Sequence, residues 1–362
     1  MKTCHLTSVH RSDDIRILKK QCVSLAKLGY DVYLVATGES FEYKKVKIIG
    51  LGEVKSSRLI RMFKTTKLVY QKGLELDCDI YHLHDPELLP YALKLKKRGK
   101  KVIFDSHESY TDTFLEKKYI PKLFRKPISS IFDKYLKYVA KRIDVVICCY
   151  HQTQQSLVGY NENIPLIFNF PIIENVDFEY KQGKNICYAG GLMEQWNHQI
   201  IAEAIKDTDV NYILMGKSTE YIKSVIENYE NIDFKGMLKY DEVLKYYSQS
   251  QIGMCLLDYI GQCKGTIGNL SNTKFFEYLM VGLPIICTDF VLWKEIIDEY
   301  NCGICVNATN SDDIKNAINY LLQNPELAKQ MGENGKKAIF EKYNWGTQEE
   351  ILISLYERLE RE

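Results

Sequence analysis

The sequence lacks the features that mark several specialised classes of protein. Its 48 Lys and Arg residues are balanced by 47 Asp and Glu residues, and the net charge of +1 argues against a surface built throughout to bind nucleic acid. No uninterrupted apolar run approaches the ~20 residues that span a bilayer. The eleven cysteines are an odd number without the spacing of a disulfide framework, so we expect reduced thiols in the cytosol.

The beginning of the chain is polar by residue 10, which predicts that no signal peptide is cleaved from it. The sequence also shows no short-period repeat and no low-complexity segment. With 362 residues, of which 46% are hydrophobic, the chain has the length and the apolar content for two packed domains or one large domain. An extended disordered chain is therefore excluded.

Short β-rich segments alternate with amphipathic segments along the whole chain. The strands predicted in the first half are Thr3–Ser8, Asp31–Ala36, Val46–Leu51, Asp79–His84, Lys101–Ser106 and Asp144–Cys149. Those predicted in the second half are Asn185–Ala189, Asn211–Met215, Ile232–Lys235, Ile252–Leu257, Pro284–Thr288 and Gly303–Val306. Strands that are apolar throughout and separated by helices indicate parallel sheets covered on both faces. Two such series predict an α/β protein with two doubly wound, Rossmann-like domains.

The break between the two series is predicted near residues 164–184, where a proline-bounded segment precedes a polar run. A linker there would let both domains face one cleft, because ligands of open α/β sheets bind at the carboxyl ends of the strands. After Pro325 the sequence predicts helices and no further strand. The last helix, Thr347–Glu362, is amphipathic and needs a surface that covers its apolar residues Ile351, Leu352, Leu355 and Leu359.

The segment 271–289 is the most informative part of the second half. One of the residues 271–273 can cap the helix that follows, and the free N–H groups and positive dipole end of that helix suit a phosphate. Lys274 adds a positive charge to the first turn, where the dipole favours an acid, and a bound anion would explain this placement. Glu277 lies one turn later and can accept hydrogen bonds from two ribose hydroxyls. The alternative is a capped core helix with a solvated Lys and Glu.

Three groups in the first half are candidates for the opposite side of the cleft. His82 and His84 lie on one face of a predicted strand, as half of a metal site would, but no third ligand is evident. His107 and Glu108 follow the next strand, and the alternative reading is a histidine that caps a turn. Arg16, early in the first helix, is predicted either to reach a phosphate group of a ligand or to stay solvated.

The segment 116–142 is both basic and aromatic. Nine Lys and Arg residues are interleaved there with aromatic and apolar residues. A basic amphipathic helix of this kind suits an anionic membrane surface, and the alternative is a core-facing helix with a solvated basic face. Nucleic-acid binding is disfavoured because the rest of the chain is not basic.

The segment 269–289 resembles the donor-binding helix of GT-B glycosyltransferases, specifically those of retaining family 4. That pattern has two glutamates eight positions apart, then Gly-x-Pro and a buried strand, and Glu277 matches the second glutamate. The first glutamate position falls on Asn269, whose amide can hydrogen-bond the donor sugar instead. The form Asn-x-Lys-x-Phe-Glu, from Asn272 to Glu277, is similar to a subgroup that makes bacterial surface polysaccharides.

The resemblance implies further residues of the donor site. The turn after the predicted strand 185–189 resembles the family's loop beside the diphosphate, but Trp196 stands where the family places a cation. Lys274 is then expected to supply the positive charge alone or with help from His198 or Lys217. The resemblance implies a catalytic role for Lys274 and assigns donor binding to Gly190, Gly191, Lys217, Gly236, Met237, Asn269, Ser271, Asn272, Thr273, Lys274 and Glu277.

In the first half, the run from His82 to Pro86 and the histidine after the next strand resemble the family's acceptor side. The resemblance implies that His107 is catalytic, as a hydrogen-bond partner of the reacting sugar or of the leaving group. It assigns acceptor binding to Arg16, His84, Asp85 and Glu108. It implies a GT-B fold in which residues 1–172 bind the acceptor, residues 173–345 bind the nucleotide sugar, and residues 346–362 return as a helix to the first domain.

The implied reaction transfers a sugar from a nucleoside-diphosphate sugar, with UDP-sugar favoured, to a hydroxyl of a carbohydrate or lipid-linked saccharide. Retention of configuration and a role in bacterial surface polysaccharide synthesis, of the capsule or O-antigen type, are implied as well. We expect no metal or other cofactor, no nucleic-acid partner, and a cytoplasmic location with attachment to the inner face of the membrane through residues 116–142. The alternatives are a nucleotide-sugar 2-epimerase and a catalytically silent partner protein with the same fold.

Overall fold

The computed structural model describes residues 1–52, 60–117, 120–173, 180 and 182–362. Contacts within the chain define two compact units, one formed by Met1–Asn169 with Trp345–Glu362 and the other by Phe170–Asn344. Part of the predicted linker, residues 174–179 and 181, lies outside the described residues. The same holds for Lys118 and Tyr119 in the basic aromatic segment.

A seven-stranded sheet is the centre of the first unit. Its strands are β1 Lys2–Arg11, β2 Asp31–Thr37, β3 Phe41–Tyr43, β4 Val46–Gly50, β5 Ile80–Leu83, β6 Lys101–Ser106 and β7 Val145–Cys148. They lie in the order β3-β4-β2-β1-β5-β6-β7. Only β3 runs antiparallel to its neighbour in this sheet, and all other pairs are parallel. The strand order reverses between β1 and β5, and ligands of doubly wound sheets bind beside such a reversal.

Helices cover both faces of this sheet. Three of them begin with a tighter or wider turn: the π-helical segments Ile15–Cys22 and Arg61–Thr65 continue into α1 Val23–Lys27 and α2 Thr66–Glu75, and the 3₁₀ turn Pro86–Leu88 continues into α3 Leu89–Lys96. The other helices of the unit are α4 Tyr110–Glu116, α5 Lys122–Ala140, α6 His151–Leu157 and the last helix of the chain, α14 Trp345–Arg361.

A six-stranded parallel sheet is the centre of the second unit. Its strands are β8 Asn185–Ala189, β9 Asn211–Met215, β10 Ile232–Gly236, β11 Ile252–Cys255, β12 Ile285–Thr288 and β13 Gly303–Val306, in the order β10-β9-β8-β11-β12-β13. The helices are α7 His198–Ile205, α8 Glu220–Asn228, α9 Tyr240–Tyr247, α10 Thr273–Val281, α11 Val291–Tyr300, α12 Ser311–Gln323 and α13 Pro325–Glu341. The order reverses between β8 and β11, so the loops after these strands lie at the switch point.

All twelve strands predicted from the sequence are present, and the prediction of two doubly wound sheets is confirmed. The strand that the sequence did not reveal is β3, which pairs with β4 through a tight turn at Lys44 and Lys45. Both turn residues have positive φ, +46° and +69°, a conformation usually signalled by Asn or Gly. A three-residue exposed strand before a Lys-Lys turn therefore has neither the hydrophobic run nor the turn residues that predict a hairpin.

The last helix, α14, completes the core of the first unit. Its apolar face packs with the residues around α1, through Trp345, Leu352, Leu355, Tyr356 and Leu359. The indole N–H of Trp345 donates to Ser24 Oγ (3.0 Å), and the backbone N–H of Phe168 donates to Gln348 Oε1 (2.8 Å). The helix thus belongs to the first unit although it follows the second unit in the chain.

Helix α5, in the basic aromatic segment, differs between its two ends. Near its C-terminus Leu136, Val139 and Ala140 are buried in the core, as the core-facing alternative predicts. Toward its N-terminus Leu123 and Ile131 are 82% and 68% exposed, between basic residues. The helix therefore presents an apolar and basic surface to solvent along part of its length. Over the part of the chain that the structure describes, no helix combines the length and the apolar character needed to cross a membrane.

We expect Leu352→Ala to destabilise the first unit by about 2–5 kcal/mol, because it removes a buried side chain and leaves a cavity. Leu352 is fully buried and Ile351, the matched control on the same helix, is 38% exposed. Ile351→Ala should cost roughly 1 kcal/mol or less. Thermal unfolding and hydrogen exchange of the β1 amides, which report on the first unit, measure both effects. Equal losses in the two variants would contradict the packing of α14 described above.

Candidate active site

Helix α10 begins at a polar cap after β11. Asn272 is the N-cap, and its Oδ1 accepts a hydrogen bond from the backbone N–H of Lys274 (3.2 Å). Its Nδ2 donates to Cys255 Sγ at the end of β11 (3.6 Å). Among the three candidates in the sequence, Ser271, Asn272 and Thr273, the cap is therefore Asn272. This cap ties the start of α10 to the carboxyl end of the central strand of the sheet.

The side chain of Lys274 extends from this turn to the glycine turn after β8. Gly190 has a φ of +143°, and a Cβ on it would lie 2.0 Å from Cε of Lys274. The backbone conformation favours glycine here, and a Cβ would in addition displace the end of the lysine side chain. The hydroxyl of Tyr278, in the same helix, accepts a hydrogen bond from the N–H of Ala189 (3.4 Å). Two segments that the sequence assigned to the donor site are therefore in contact.

The ammonium of Lys274 lies against two aromatic rings. Its Nζ is 4.6 Å from the ring centroid of Trp196 and 5.5 Å from that of Tyr188. Among the residues that the structure describes, no carboxylate lies within 4.0 Å of this Nζ. Burial lowers the pKa of Lys274 from its ordinary value. Among the described residues the positive charge of Lys274 therefore has no ion pair within 4.0 Å, although the carboxylate of Glu277 acts on it from a greater distance.

The other titratable groups around Lys274 carry no positive charge. His198 is fully buried, and burial, aided by the charge of Lys274, lowers its pKa to about 3. Its Nδ1 lies 2.9 Å from the hydroxyl of Tyr212, so the ring is fixed inside the core. Burial raises the pKa of the Cys255 thiol to about 12. The prediction that His198 helps to supply positive charge is wrong, because this imidazole is neutral in the core.

Glu277 lies one turn after Lys274 on the same helix. Residues three apart share a helix face, so both side chains project from the side of α10 that starts at the cap. Glu277 is half-buried, between the fully buried residues Phe276 and Tyr278. The spacing of Lys274 and Glu277 expected from the sequence is therefore present in the structure.

Asn269 is placed differently from the sequence prediction. It is 7% exposed, its Oδ1 accepts from the N–H of Ser271 (3.0 Å), and its Nδ2 donates to Cys263 Sγ (3.5 Å). Its carbonyl also accepts from the indole N–H of Trp293 (2.7 Å). The amide is therefore used to hold the loop before α10. The structure does not support the prediction that it faces a donor sugar.

The remaining donor-loop residues lie at the carboxyl ends of neighbouring strands. Gly216, after β9, donates its N–H to the carbonyl of Gly236, at the end of β10 (2.8 Å). Lys217 is exposed next to this junction, and Met237 is 75% exposed. At Gly191 an added Cβ would make only ordinary contact, 3.4 Å from Met193 Cε, so this position does not require glycine.

In the first unit, buried histidines form a hydrogen-bonded row that ends at His107. The row runs through four contacts: His82 Nδ1 to Tyr356 OH (2.9 Å), Tyr356 OH to His5 Nε2 (3.3 Å), His5 Nδ1 to His84 Nε2 (2.9 Å), and His84 Nδ1 to His107 Nε2 (3.1 Å). Burial lowers the pKa of His5, His82 and His84 well below the ordinary value. These three rings are therefore neutral, and they fix the orientation of His107.

Asp105 is the only charged partner of this row within the described residues. Its Oδ2 lies 3.3 Å from His107 Nε2, and its two oxygens accept from Arg16 (3.0 and 3.2 Å) and from Gln21 (2.7 Å). Burial opposes the ionisation of Asp105, but the positive charge of Arg16 outweighs it and holds the pKa of the carboxyl well below its ordinary value. The inner nitrogen of His107 is therefore engaged, which leaves Nδ1 for a ligand.

Arg16 itself differs from both alternatives that the sequence left open. It is 6% exposed, forms the buried ion pair with Asp105, and donates to the carbonyl of Ile167 (3.0 Å). It is therefore neither a solvated residue nor available to an acceptor phosphate in this structure. Its partner lies on a strand 89 residues away in the sequence, and no local pattern reveals such a pairing.

Two other residues predicted to bind the acceptor have structural partners instead. Both ring nitrogens of His84 bond to other histidines, and the residue is fully buried. Asp85 is 1% exposed, and its carboxylate accepts from Thr7 Oγ1, from both donors of Ser8 and from the N–H of Val9. His84 thus supports His107 from behind, and Asp85 joins the end of β1 to the end of β5.

A cavity of about 770 Å³ opens beside His107. Glu108 lines it, and Glu108 Oε2 also accepts a hydrogen bond from Thr113 Oγ1 (3.2 Å). Its wall is strongly aromatic, with Phe63, Tyr91, Tyr110, Phe114, Phe132 and Tyr135. Three of the predicted acceptor-side residues, Asp85, His107 and Glu108, thus line one cavity of mixed polar and aromatic character.

Two groups of residues have the geometry to hold a metal ion. They are His5 with His82 and His84, and His84 with Asp105 and His107, and the candidate ligand atoms of each group lie within 4.8 Å of one another. The sequence showed no third ligand for the His82-x-His84 pair because His5 and Asp105 lie on other strands. In the first group both nitrogens of His84 and His5 Nδ1 are hydrogen-bonded, whereas His82 Nε2 is buried without a hydrogen-bond partner among the described residues. In the second group Arg16 places a positive charge 3.0 Å from Asp105. That charge opposes a cation in the second group.

Sequence reasoning missed the roles of Asp105, Tyr188 and Trp196. Asp105 precedes His107 by two residues, so strand alternation places both side chains on one face and could have revealed the pair. Trp196 attracted notice only as the residue that replaces a cation. No signal in the sequence shows that its ring lies under Lys274, because that contact depends on the fold.

Comparisons with known proteins find similar glycosyltransferases. Residues 170–338 match the family model described as "Glycosyl transferases group 1", and residues 16–170 match the model described as "Glycosyltransferase Family 4". An uncharacterized glycosyltransferase of Methanocaldococcus jannaschii is 28% identical over 335 residues, which cover 88% of this chain and 85% of that protein.

Solved structures share the fold of the whole chain. Sucrose-phosphate synthase from Thermosynechococcus elongatus has a TM-score of 0.76 at 14% identity, covering 99% of both chains. Anabaena HepE, in complex with UDP and glucose, has a TM-score of 0.73 at 12% identity, covering 99% of this chain and 100% of that one. WaaG, a glycosyltransferase involved in lipopolysaccharide biosynthesis, has a TM-score of 0.70 at 12% identity, covering 98% and 99%.

These similarities confirm the predicted GT-B fold, which the superpositions show over the full chain. The two matched regions are consecutive and meet at residue 170, where the first compact unit gives way to the second. The protein is therefore a glycosyltransferase with the GT-B fold, and its two consecutive regions match the models of family 4 and group 1 glycosyltransferases.

Proposed function

We propose that this glycosyltransferase binds a nucleoside-diphosphate sugar at the start of α10. The observation that carries the proposal is the ammonium of Lys274, which lies over the Gly190 turn with no described carboxylate within 4.0 Å. A pyrophosphate at this point would receive that charge together with the N–H groups of the first helical turn. Glu277, on the same helix face, would accept hydrogen bonds from the ribose hydroxyls.

The same residues suit the chemistry of sugar transfer. When the bond between the anomeric carbon and the diphosphate breaks, negative charge develops on the departing phosphate, and its stabilisation is the largest task of the catalyst. Lys274 and the positive end of the α10 dipole act on that charge. Because a protein cation occupies this place, the reaction in our proposal requires no bound metal.

The acceptor in this proposal enters the cavity beside His107. The outward Nδ1 of His107 would hydrogen-bond the reacting sugar or the leaving group, while Asp105 and His84 hold the ring from behind. Asp85 and Asp105 are each committed to several hydrogen bonds, so neither is free to act as a nucleophile. This disfavours a covalent intermediate on either aspartate. Retention, which the resemblance implies, would then proceed by attack on the face that the phosphate leaves, with the phosphate taking the acceptor's proton.

The finer identity of the substrates rests on similarity. UDP is the favoured nucleotide because HepE, which shares the fold, was solved with UDP and glucose. A role in surface polysaccharide synthesis is favoured by the fold shared with WaaG, which is involved in lipopolysaccharide biosynthesis, and by the Asn-x-Lys-x-Phe-Glu form of the donor helix. The acceptor is then a carbohydrate or a lipid-linked saccharide with a free hydroxyl.

A lipid-linked acceptor would agree with the surface of α5. Its exposed apolar residues Leu123 and Ile131 lie among basic residues, a combination that binds anionic membranes. The aromatic wall of the cavity beside His107 belongs to the same unit and includes Phe132 from α5. We therefore place the enzyme at the cytoplasmic face of a membrane in this proposal.

We expect Glu277→Ala to weaken the binding of UDP or of the UDP-sugar about 10- to 100-fold, because charge-assisted hydrogen bonds to the ribose are lost. Isothermal titration with UDP and with GDP measures this directly and needs no acceptor. The thermal midpoint should stay close to that of the wild type.

Glu220→Ala is the control for this experiment, because Glu220 is exposed on α8 and its ion pair among the described residues is with Lys223. It should leave nucleotide affinity unchanged. Wild-type affinity in the Glu277→Ala variant would remove the ribose assignment, and the absence of any nucleotide binding by the wild type would remove the whole proposal.

We expect chelation to leave nucleotide binding and sugar transfer unchanged, since Lys274 supplies the positive charge in place of a metal. The measurement is UDP affinity and turnover in EDTA, followed by addition of Mg²⁺, Mn²⁺ or Ca²⁺ one at a time. Loss of activity in EDTA that one of these metals restores would contradict the metal-free mechanism.

We expect the protein to float with anionic vesicles and not with neutral ones. Reversing the charge of two exposed lysines on α5, by Lys122→Glu with Lys126→Glu, should weaken binding to anionic vesicles about 30-fold or more. Each basic residue near the membrane surface contributes about 1 kcal/mol to this binding. The matched double reversal Lys329→Glu with Lys337→Glu lies on α13 and should have little effect. Equal binding to neutral and anionic vesicles would argue against this surface.

A further inference from the structure

The side chain of Lys274 needs an external support to serve the donor site. A lysine in the first turn of a helix is repelled by the positive end of the dipole, and its long stem is flexible. No described carboxylate lies within 4.0 Å of the ammonium, and burial disfavours its charge more than the carboxylate of Glu277 favours it. The two aromatic rings at 4.6 and 5.5 Å are the contacts that the structure provides for the charge itself.

We propose that Trp196 and Tyr188 form an aromatic seat that holds the ammonium of Lys274 in the position where it meets the donor pyrophosphate. The proposal rests on the proposed function and assigns Trp196 as a positioning residue that acts through Lys274. An ammonium over the faces of a tryptophan and a tyrosine is attracted by the negative face of each ring, and the attraction strengthens when water is excluded.

The seat is itself held by the fold. Trp196 is 7% exposed and is the last residue of the 3₁₀ turn Glu194–Trp196. Its backbone N–H donates to the carbonyl of Met193 (3.0 Å). The same turn is tied to the chain after β11, because the N–H of Asp258 donates to the carbonyl of Gln195 (2.8 Å). These backbone hydrogen bonds hold the turn that carries the indole.

Tyr188 completes the seat from β8. It is fully buried, its ring lies 5.4 Å from that of Trp196, and its hydroxyl donates to the carbonyl of Gly191 (3.0 Å). The neutral ring of His198 stacks edge-on against it at 4.6 Å. Since Tyr188 also holds the glycine turn, one side chain aligns the lysine and the backbone that the pyrophosphate approaches.

This arrangement explains how a tryptophan can stand at a position where similar enzymes carry a cation. The aromatic ring adds no charge of its own, but it stabilises the one charge that is present and fixes its location. The donor site thereby depends on a single ammonium held by two rings.

The test compares tryptophan variants in the presence and absence of the lysine charge. The variants are Trp196→Phe, Trp196→Leu, Lys274→Met and the double variant Trp196→Leu with Lys274→Met. Affinities for UDP and GDP are measured by isothermal titration, and folding is checked by the thermal midpoint. Because the leucine keeps an apolar side chain without a π face, the comparison isolates the effect on the ammonium.

Trp196→Leu should weaken nucleotide binding about 3- to 30-fold, the range of a cation–π contact from exposed to desolvated sites. Trp196→Phe should recover most of the loss, because it restores an aromatic face. In the Lys274→Met background, Trp196→Leu should change the nucleotide affinity less than about twofold, because the ammonium that the tryptophan positions is absent. Should the leucine variant fail to fold, Trp196→Met replaces it in both backgrounds.

Three results would overturn the proposal. If Trp196→Leu keeps the wild-type nucleotide affinity while Lys274→Met loses affinity, the donor-site proposal is retained and the aromatic seat is rejected. An equal loss from Trp196→Leu with and without Lys274 would show that tryptophan acts independently of the lysine. A wild-type protein that binds neither UDP nor GDP would remove the proposed function together with this inference.

Discussion

The buried carboxylate of Asp105 is the interaction around which the functional edge of the first unit is organised. It joins the π-helical segment before α1, through Arg16 and Gln21, to the strand that ends at His107. A buried charge is tolerated only where it is paired and hydrogen-bonded, and here the guanidinium supplies both. The neutral histidine row behind His107 then needs no further charge, so the ring is fixed by hydrogen bonds alone.

Among the described residues, the buried charge of the second unit, on Lys274, contacts aromatic rings instead of an opposite charge. Lys274 lies against aromatic rings, and the titratable neighbours His198 and Cys255 are held in their neutral forms. In the first unit a charge is balanced by a buried ion pair, whereas in the second our proposal assigns the balancing charge to a ligand. Asp105 and Lys274 are both largely buried, so burial alone does not distinguish their roles. The presence or absence of a described opposite charge beside each residue does.

Much of the fold could be predicted from the sequence, because apolar strands between amphipathic helices are a local signal. The spacing of Lys274 and Glu277 was predictable for the same reason, since both lie on one helix. The prediction for Arg16 was wrong because its partner is distant in the sequence. Asn269 was predicted from a family position, yet the structure uses its amide in the loop before α10. Loops and long-range pairs depend on tertiary structure, and neither periodicity nor spacing records them.

The position of α14 bears on how the chain reaches its native state. The helix supplies Trp345, Leu352 and Tyr356 to the core of a unit whose other residues end at Asn169. During synthesis the first unit therefore cannot complete its core until the ribosome has made the entire second unit and the final helix. Until then the residues that pack against α14 lack their partner. The contiguous segment Phe170–Asn344 has no such delay and can fold as soon as it emerges, so the half of the enzyme that is made last is the one that can finish first.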